Sequence, residues 1–280
     1  MTLWCRVLEV VYAAQLRRGR MSKFQRRGQV CLLYKKGDRK EPGNYRPITL
    51  LNVDAKLGPK ILAYRLGTVL GDLLPSDQYG FVPGRDIRHA HLRLQALMKL
   101  YENEDTVAGA VLLDFAKAFD SVVWDALDMI LMHLGLGPVF RRWVRVIFPG
   151  TLVSLLFNGS PLSPFELGRG VRQGDPLSPA LFVLYVEPLL NLIRTNMHDS
   201  GLRCGASSTR HTVLSFADDC TGLLHDLRDT KRLLDLVDSY CAASGMTLNK
   251  NKTVVLPFHP WTNEASATCP KLGSKTKWTR

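Results

Sequence analysis

The chain has 280 residues, 46% of them hydrophobic, which is enough for a substantial buried core in one large domain or two lobes. Its 37 basic residues outnumber its 25 acidic residues, and the net charge of +12 favours polyanionic partners such as nucleic acid. Six scattered cysteines without a C-x-x-C pair argue against a zinc site or a disulfide framework, and no apolar run approaches the roughly 20 residues of a membrane span. We therefore expect an intracellular protein, in the nucleus or the cytoplasm, with no membrane partner.

The charge is distributed unevenly. Residues 1–50 hold twelve Lys and Arg residues against three acidic ones, and residues 250–280 hold six against one. The part between them is nearly balanced, with 19 basic and 21 acidic residues. Two basic ends around a centre with its own acidic residues are typical of a protein that grips phosphates and also holds metal ions.

The first third of the chain contains helical and extended patterns. The predicted elements are a helix over 1–18, a strand over Val30–Tyr34 with a turn at 35–38, a helix over 53–73 and an amphipathic helix over Ile87–Tyr101. Gly58 and Pro59 interrupt the helix over 53–73, so we expect a kink there and interpret the pair as a sign of sequence decay.

The remaining predicted elements end at turn or capping residues. They are a strand over Val107–Leu113 before Asp114, a helix capped by Asp120 and Ser121 that stops at Gly135, and a hairpin closed by Asn158–Gly159. After these come an apolar helix over Ala180–Ile193, strands over His211–Phe216 and Cys220–Leu224, a helix over Lys231–Ala243 and a strand over Thr253–Leu256. This order describes an α+β fold whose antiparallel sheet is covered on one face by helices.

Acidic residues stand at strand ends that are far apart in sequence. Asp114 follows one strand, and Asp218 and Asp219 form the turn between two others. Adjacent placement of these strands would bring the carboxylates to one point. Mg²⁺ prefers such oxygen ligands, and two ions about 3.5 to 4 Å apart would support nucleotidyl transfer. An isolated Asp-Asp pair is more often only a hairpin turn, so this pair alone does not decide the function.

Several ordered motifs extend over nearly the whole chain. They comprise residues 32–38, residues 44–52, residues 110–122 around Asp114, Phe216-Ala217-Asp218-Asp219, and residues 249–253. Together these motifs resemble those of reverse transcriptases from non-LTR retrotransposons of the LINE type. The resemblance implies an RNA-directed DNA polymerase with the palm and fingers of the polymerase right-hand fold, which adds dNTPs to a DNA primer on an RNA template.

The resemblance also implies the catalytic residues. Asp114, Asp218 and Asp219 would be the metal ligands, with the carbonyl of Phe115 as a further ligand. The metal would be two Mg²⁺ ions, with Mn²⁺ as an alternative. Lys252 would protonate the departing pyrophosphate.

The substrate contacts follow from the same resemblance. Phe119, five residues after Asp114, would lie under the sugar of the incoming nucleotide and exclude a 2′ hydroxyl, unless its ring serves only packing. The other substrate-binding residues would be Gln173, Gly174, Lys35, Lys36 and Arg46, and the template-binding residues would be Gln78 and Arg85. The alternatives are a simple connecting loop at Gln173 and Gly174, and solvated surface charges at the lysines.

The resemblance divides the chain into mainly fingers over 1–106, mainly palm over 107–256 and an irregular basic tail over 257–280. No primer grip or endonuclease is recognisable, so we expect a truncated or frameshifted chain whose thumb is missing or incomplete. Two rival interpretations are an inactive nucleic-acid-binding remnant of a retrotransposon and a different template-dependent polymerase, such as a group II intron or viral RNA enzyme. The intact acidic residues argue against the first and Phe119 against the second, and the sequence leaves the oligomeric state open.

Overall fold

The computed structural model describes residues 3–104, 106–204 and 209–259. Within these ranges the helices are α1 (Leu3–Arg18), α2 (Val53–Leu73), α3 (Ile87–Tyr101), α4 (Ala118–Ser121), α5 (Trp124–His133), α6 (Pro138–Ile147), α7 (Ser178–Asn196) and α8 (Thr230–Ser244). The strands are β1 (Arg27–Tyr34), β2 (Tyr45–Leu51), β3 (Gly109–Leu113), β4 (Leu152–Phe157), β5 (Ser160–Pro161), β6 (Phe165–Glu166), β7 (Leu202–Arg203), β8 (Arg210–His211), β9 (Val213–Phe216), β10 (Asp219–Leu224) and β11 (Val254–Pro257). The predicted α+β class is confirmed.

The chain forms two compact units, each built from two segments. Unit 1 comprises Met1–Thr68 and Phe119–Phe182, and unit 2 comprises Val69–Ala118 and Val183–Arg280. The boundaries predicted from the sequence for fingers, palm and tail stay a prediction. Most of the predicted tail, residues 260–280, lies outside the described residues.

Unit 1 contains a mixed sheet in the order β2-β1-β4-β5, with β6 also paired to β4. Strand β1 pairs antiparallel with β2 and parallel with β4. Strand β2 was not predicted from the sequence. It contains Pro47 and lies at the edge of the sheet, where a missing backbone N–H is tolerated. The predicted hairpin is confirmed, because Asn158 and Gly159 have φ values of 47° and 80°, as a two-residue type I′ turn requires.

Unit 2 contains an antiparallel sheet in the order β11-β3-β10-β9. Gly222 of β10 faces Leu233 of α8, because a Cβ on Gly222 would meet that leucine side chain. On the opposite face, Leu223 belongs to a buried apolar cluster with Ala110 of β3 and Leu97 of α3. The sheet therefore packs on α8 through one face and on α3 through part of the other, so the expectation that helices cover only one face was wrong.

Helix α7 has the apolar, buried character that the sequence predicts. Every residue from Leu181 to Val186 has no exposed surface. Its Tyr185 is tied to α8, since its hydroxyl donates to the carbonyl oxygen of Ser244 and its own carbonyl accepts from Tyr240. Helix α8 ends as predicted at Gly245, whose φ of 74° is left-handed.

Gly58 in α2 lies against Tyr12 of α1. The Tyr12 hydroxyl donates to the carbonyl oxygen of Asp54 and accepts from the amide of Gly58 at 2.8 Å, so it is inserted between two groups that are normally bonded in a helix. A Cβ on Gly58 would clash with the Tyr12 ring. Interpreting Gly58 as sequence decay was therefore wrong, because this glycine accommodates the Tyr12 side chain of α1.

The five described cysteines are free thiols, as the sequence predicts, and Cys269 lies outside the described residues. Burial raises the pKa of the Cys220 thiol to about 12.

No helix in the described part of the chain is both long and apolar enough to cross a membrane.

Candidate active site

The acidic residues stand at one end of the sheet of unit 2. Strands β3 and β10 pair antiparallel with Leu113 opposite Cys220, and extending this register by one residue sets Asp114 opposite Asp219. Directly opposite residues on antiparallel strands point to the same face and lie about 5 Å apart. Asp218 precedes Asp219 in the exposed turn between β9 and β10. The fold thus brings the two predicted acidic motifs together.

The turn that carries Asp218 has a strained backbone, and buried side chains form hydrogen bonds with it. Its first residue, Ala217, has a φ of 58°, a left-handed conformation that costs an alanine about 1 to 2 kcal/mol relative to its ordinary conformations. The amide of Ala217 donates to Oε1 of Gln78 at 3.1 Å, and its carbonyl oxygen accepts from the Ser215 hydroxyl at 3.3 Å. Both backbone groups of Ala217 are therefore bonded to buried side chains.

The position of Gln78 corrects its predicted role. This residue is completely buried, its Nε2 donates to the Ser215 hydroxyl at 3.0 Å, and its Oε1 also accepts from the amide of Gly80 at 2.8 Å. A side chain with no exposed surface cannot contact a template strand. The prediction that Gln78 contacts the template is therefore wrong.

Residues 247–249 pair with the segment that follows β3. The Asn249 amide donates to the Asp114 carbonyl at 2.7 Å, and the Ala116 amide donates to the Thr247 carbonyl at 2.9 Å. These bonds flank Phe115 without using its carbonyl oxygen, which is the predicted metal ligand. Lys252 is exposed, and its amide donates to the carbonyl oxygen of Asn249 at 3.0 Å. The same short segment therefore contacts Asp114 and holds the backbone of Lys252.

The carboxylates provide oxygen atoms that are suitable ligands for a divalent cation. Among residues 3–104, 106–204 and 209–259, no group of three or more His, Cys, Asp or Glu residues is arranged to hold a metal ion. Mg²⁺ does not need such a group, because it commonly binds through one or two carboxylates together with water and substrate phosphates. The opposed pair Asp114 and Asp219, with exposed Asp218 beside it, fits this mode of binding.

Arg85 is engaged within unit 2. Its two terminal nitrogens donate to the carbonyl oxygens of Gly71, Leu74, Pro75 and Gln78. Two of these carbonyls lie at the C-terminal end of α2, where four carbonyls lack partners within a helix. This geometry supports a structural role for Arg85 and gives no support to its predicted contact with template phosphate.

In unit 1, Phe119 is partly buried and stacks on Phe182. The ring centroids are 4.4 Å apart and the ring planes differ by 14°. Since Phe182 has no exposed surface, the stack fixes the orientation of Phe119. Asp120 does not cap the following helix as predicted, because it lies inside α4 and the N-cap of α5 is Val123.

Gln173 and Gly174 lie in a loop held by a buried ion pair. Arg172 donates to Asp175 at 2.8 Å, and both side chains are almost fully buried. Burial raises the pKa of Asp175, although Arg172 opposes this rise. Gly174 has a φ of 124°, and a Cβ there would overlap the carbonyl oxygen of Thr49, so the close approach that requires glycine is to this chain's own backbone. The Gln173 carbonyl accepts from the Thr49 amide at 2.8 Å.

The predicted phosphate-binding residues of unit 1 are exposed. Lys35 and Lys36 follow β1, and Arg46 lies on β2. Within the described residues their side chains form no ion pair with an acidic residue. Their charges are therefore not neutralised by a neighbouring carboxylate.

The polar residues that support the acidic turn were not predicted from the sequence. Ser215 interrupts the apolar strand β9 and is buried, which is the signal that would have pointed to a specific role. Arg194 of α7 donates to Asp77 at 2.7 Å and to Glu187 at 2.9 Å, and Asp77 directly precedes Gln78. Burial raises the pKa of Glu187 to about 7, the charge of Asp77 adds to this rise, and Arg194 opposes it.

Known proteins match most of this chain in sequence. The family model described as "Reverse transcriptase (RNA-dependent DNA polymerase)" matches residues 34–272. The chain is 32% identical over 243 residues to the transposon TX1 uncharacterized 149 kDa protein of Xenopus laevis, covering 87% of this chain and 18% of that protein. It is 28% identical over 228 residues to the Pol polyprotein of a type-1 retrotransposable element R2 of Popillia japonica, covering 81% of this chain and 31% of that protein. The chain thus spans less than a third of these relatives.

Solved structures share the fold. Apo telomerase from Candida tropicalis matches with a TM-score of 0.60 at 11% identity, over 90% of this chain and 49% of that chain. The predicted right-hand polymerase fold and the resemblance to proteins of non-LTR elements are confirmed. Because the family match extends over most of the sequence, the chain belongs to the reverse transcriptase (RNA-dependent DNA polymerase) family.

Proposed function

We propose that this chain carries the catalytic centre of an RNA-directed DNA polymerase, which adds deoxynucleotides to the 3′ end of a DNA primer on an RNA template. The observation that carries the proposal is the strand register that sets Asp114 opposite Asp219, next to the exposed Asp218, in a member of the reverse transcriptase family. Carboxylates at one sheet end are what nucleotidyl transfer with divalent ions requires.

Asp114, Asp218 and Asp219 would hold the metal, with the carbonyl oxygen of Phe115 as a further ligand. Two Mg²⁺ ions, or Mn²⁺ in their place, would activate the primer hydroxyl and stabilise the leaving pyrophosphate. The residues that hold the metal would contribute to catalysis by keeping their carboxylate and carbonyl oxygens in fixed positions. The pairing of residues 114–116 with 247–249 and the support of Ala217 favour such fixed positions.

Phe119 would select deoxynucleotides, because its ring would fill the space that a 2′ hydroxyl needs. Support comes from the Phe182 stack, which holds the ring in one orientation. Gln173 and Gly174 would contact the nucleotide or template from a loop whose backbone is fixed to Thr49 and whose base is the Arg172–Asp175 ion pair.

The cationic residues would bind phosphates. Arg46 can engage a phosphate with two parallel hydrogen bonds, and Lys35 and Lys36 would add positive charge near it. Lys252 would give a proton to the leaving pyrophosphate, because an exposed lysine ammonium on a segment paired to Asp114 is available as a general acid.

In this proposal, residues 1–106 form mainly the fingers and residues 107–256 mainly the palm. The protein would act inside the cell, in the nucleus or the cytoplasm, where RNA templates are found. The partners would be an RNA template, a DNA primer and dNTPs. Binding to an RNA/DNA hybrid should weaken as salt rises, since the two basic ends would release counterions from phosphates.

Single-nucleotide extension of a DNA primer on an RNA template tests the proposal. At low salt and high protein concentration, the unmodified chain should add a dNTP when Mg²⁺ is present. Asp218→Ala should lower the rate by at least about a thousandfold, because a lost metal ligand removes several kcal/mol of transition-state stabilisation. Asp235→Ala, which changes an exposed acidic residue on α8, is the matched control and should keep the rate.

Two outcomes would contradict the proposal. Activity that survives Asp218→Ala would remove the metal site. Hybrid binding without any nucleotide addition would instead identify an inactive nucleic-acid-binding remnant.

A further inference from the structure

We infer that Gln78 and Gly80 form a clamp that positions the metal-binding turn, so that Gln78 is a positioning residue for nucleotide addition although it contacts neither template nor nucleotide. This inference rests on the proposed function, because it assigns a task to residues beneath the proposed metal ligands. Gln78 and Gly80 belong to the segment 77–80, and we use the name clamp for this segment. It acts on Ser215 and Ala217.

Residues 77–79 lie beside β9, and Gln78 forms an isolated parallel bridge with Ser215. The Ser215 amide donates to the Asp77 carbonyl at 2.8 Å, and the Tyr79 amide donates to the Ser215 carbonyl at 2.7 Å. These two bonds place the side chain of Gln78 below the turn. The backbone of β9 is thereby fixed at Ser215, three residues before Asp218, the first exposed aspartate of the turn.

Gln78 provides a hydrogen-bond acceptor for the backbone of Ala217, the strained residue of the turn. Its Oε1 accepts from the amides of Ala217 and Gly80, and its Nε2 donates to Ser215, whose hydroxyl lies within hydrogen-bond distance of the Ala217 carbonyl. An alanine at a φ of 58° keeps that conformation only where its surroundings favour it. Because Asp218 directly follows Ala217, the backbone direction at Ala217 determines where the Asp218 carboxylate points.

Gly80 allows the two segments to approach. A Cβ at residue 80 would overlap the amide nitrogen of Ala217 and also contact Phe216. The overlapped atoms belong to backbone, which cannot move aside as a flexible side chain can. Any larger residue at position 80 would therefore displace the turn.

The clamp is anchored to α7. Arg194 binds both Asp77 and Glu187, and all three side chains are largely buried. This link fixes the residue that precedes Gln78 to a helix in the core of unit 2. Residues 77–79 are thus held by α7 through the side chain of Asp77 and by β9 through the backbone of Ser215.

Metal binding by the protein without nucleic acid tests the clamp. Mn²⁺ binding would be measured by electron paramagnetic resonance on the unmodified chain, Asp218→Ala, Gln78→Met and Gln25→Met. Gln78→Met keeps the side-chain length but removes its hydrogen bonds, and we expect it to weaken Mn²⁺ binding by about tenfold, as the loss of a partner that orients a metal ligand commonly does. Gln25 is also a buried glutamine, in unit 1, and Gln25→Met should leave Mn²⁺ affinity unchanged.

Nucleotide addition gives a second measurement. Gln78→Met should shift the Mg²⁺ dependence of the rate to higher concentration while the Kd for primer and template stays the same. A residue that bound the template would show the reverse pattern, a raised Kd and an unchanged Mg²⁺ dependence.

Gly80→Ala keeps the test decisive if Gln78→Met fails to fold, because it displaces the turn without removing a hydrogen-bonding group. Its control is Gly71→Ala, where an added Cβ meets open space. Metal affinity that is unchanged in both clamp variants, while Asp218→Ala loses it, would overturn the clamp alone. Equal Mn²⁺ binding by the unmodified chain and Asp218→Ala would overturn the proposed metal site on which the clamp depends.

Discussion

The acidic turn of unit 2 and the basic residues of unit 1 are built in different ways. The acidic residues are exposed or partly exposed, but the backbone beneath them is held by the buried side chains of Gln78 and Ser215. Lys35, Lys36 and Arg46 are exposed at the ends or edge of a sheet. Metal ligands must be positioned within a few tenths of an ångström, whereas long cationic side chains attract phosphate over a wider range of geometries. Buried polar groups therefore accompany the metal-binding residues, whose positions must be fixed, and are not needed beside the cationic residues.

Loss of the Phe119 ring should give the largest effect among the tests that follow, because it changes a fixed shape rather than a charge. Phe119→Val should reduce the preference for dNTPs over rNTPs by about a hundredfold, since a smaller side chain leaves room for a 2′ hydroxyl. Phe182→Leu should reduce this preference less, because the ring remains but loses the stack at 4.4 Å. Single-nucleotide addition with each nucleotide measures both.

The control for this experiment is Phe165→Val, which removes an exposed ring from β6. It should leave sugar selection unchanged. Equal use of dNTPs and rNTPs by the unmodified chain would refute the role of Phe119.

The buried network behind the acidic turn should make stability depend on pH. The pKa of Glu187 is raised from 4.5 to about 7, so the folded state binds this proton more tightly than the unfolded chain does. The resulting stabilisation is complete below about pH 4.5 and is lost as the pH rises through about 7. We expect Glu187→Gln to remove a pH-dependent part of the free energy of unfolding on the order of 2 kcal/mol.

Urea unfolding of the unmodified chain and Glu187→Gln between pH 4.5 and pH 8 checks this expectation, with Glu102→Gln as the exposed control. The difference between the unmodified chain and Glu187→Gln should fall with rising pH and level off above the pKa. A constant difference across this range would show that Glu187 does not carry the effect.

The basic region should give the smallest and most salt-sensitive effect. Arg46→Ala should raise the KM for dNTPs on the order of tenfold, because a charged hydrogen bond to phosphate contributes about 1.5 to 3 kcal/mol. The increase should shrink as salt is added. Steady-state nucleotide addition measures it, and Lys40→Ala, a change of another exposed cation near β1, should have little effect. An unchanged KM for Arg46→Ala would remove this residue from the proposed phosphate site.

Much of the fold could be predicted because its signals are local. Helix α3 begins and ends at the predicted residues, where Asp86 accepts from the Arg88 amide and the apolar positions follow a helical period. The hairpin at Asn158–Gly159 and the helix end at Gly245 follow from residues that favour left-handed conformations. Strand β2 was missed, because its edge position, which tolerates Pro47, is visible only once β1 is beside it.

The sequence by itself determined the family, the α+β class and the positions of the acidic motifs at strand ends, because each depends on residue types at fixed spacing. Only the tertiary structure decided the partners of buried polar groups. Gln78 and Ser215 are 137 residues apart, and nothing local in the chain indicates that they bond beneath Asp218. The same holds for Arg85, whose guanidinium contacts the end of α2, and for Tyr12, which enters that helix at Gly58. Such partners are set by packing between distant segments, since most buried polar groups form a hydrogen bond with whichever partner the fold places beside them.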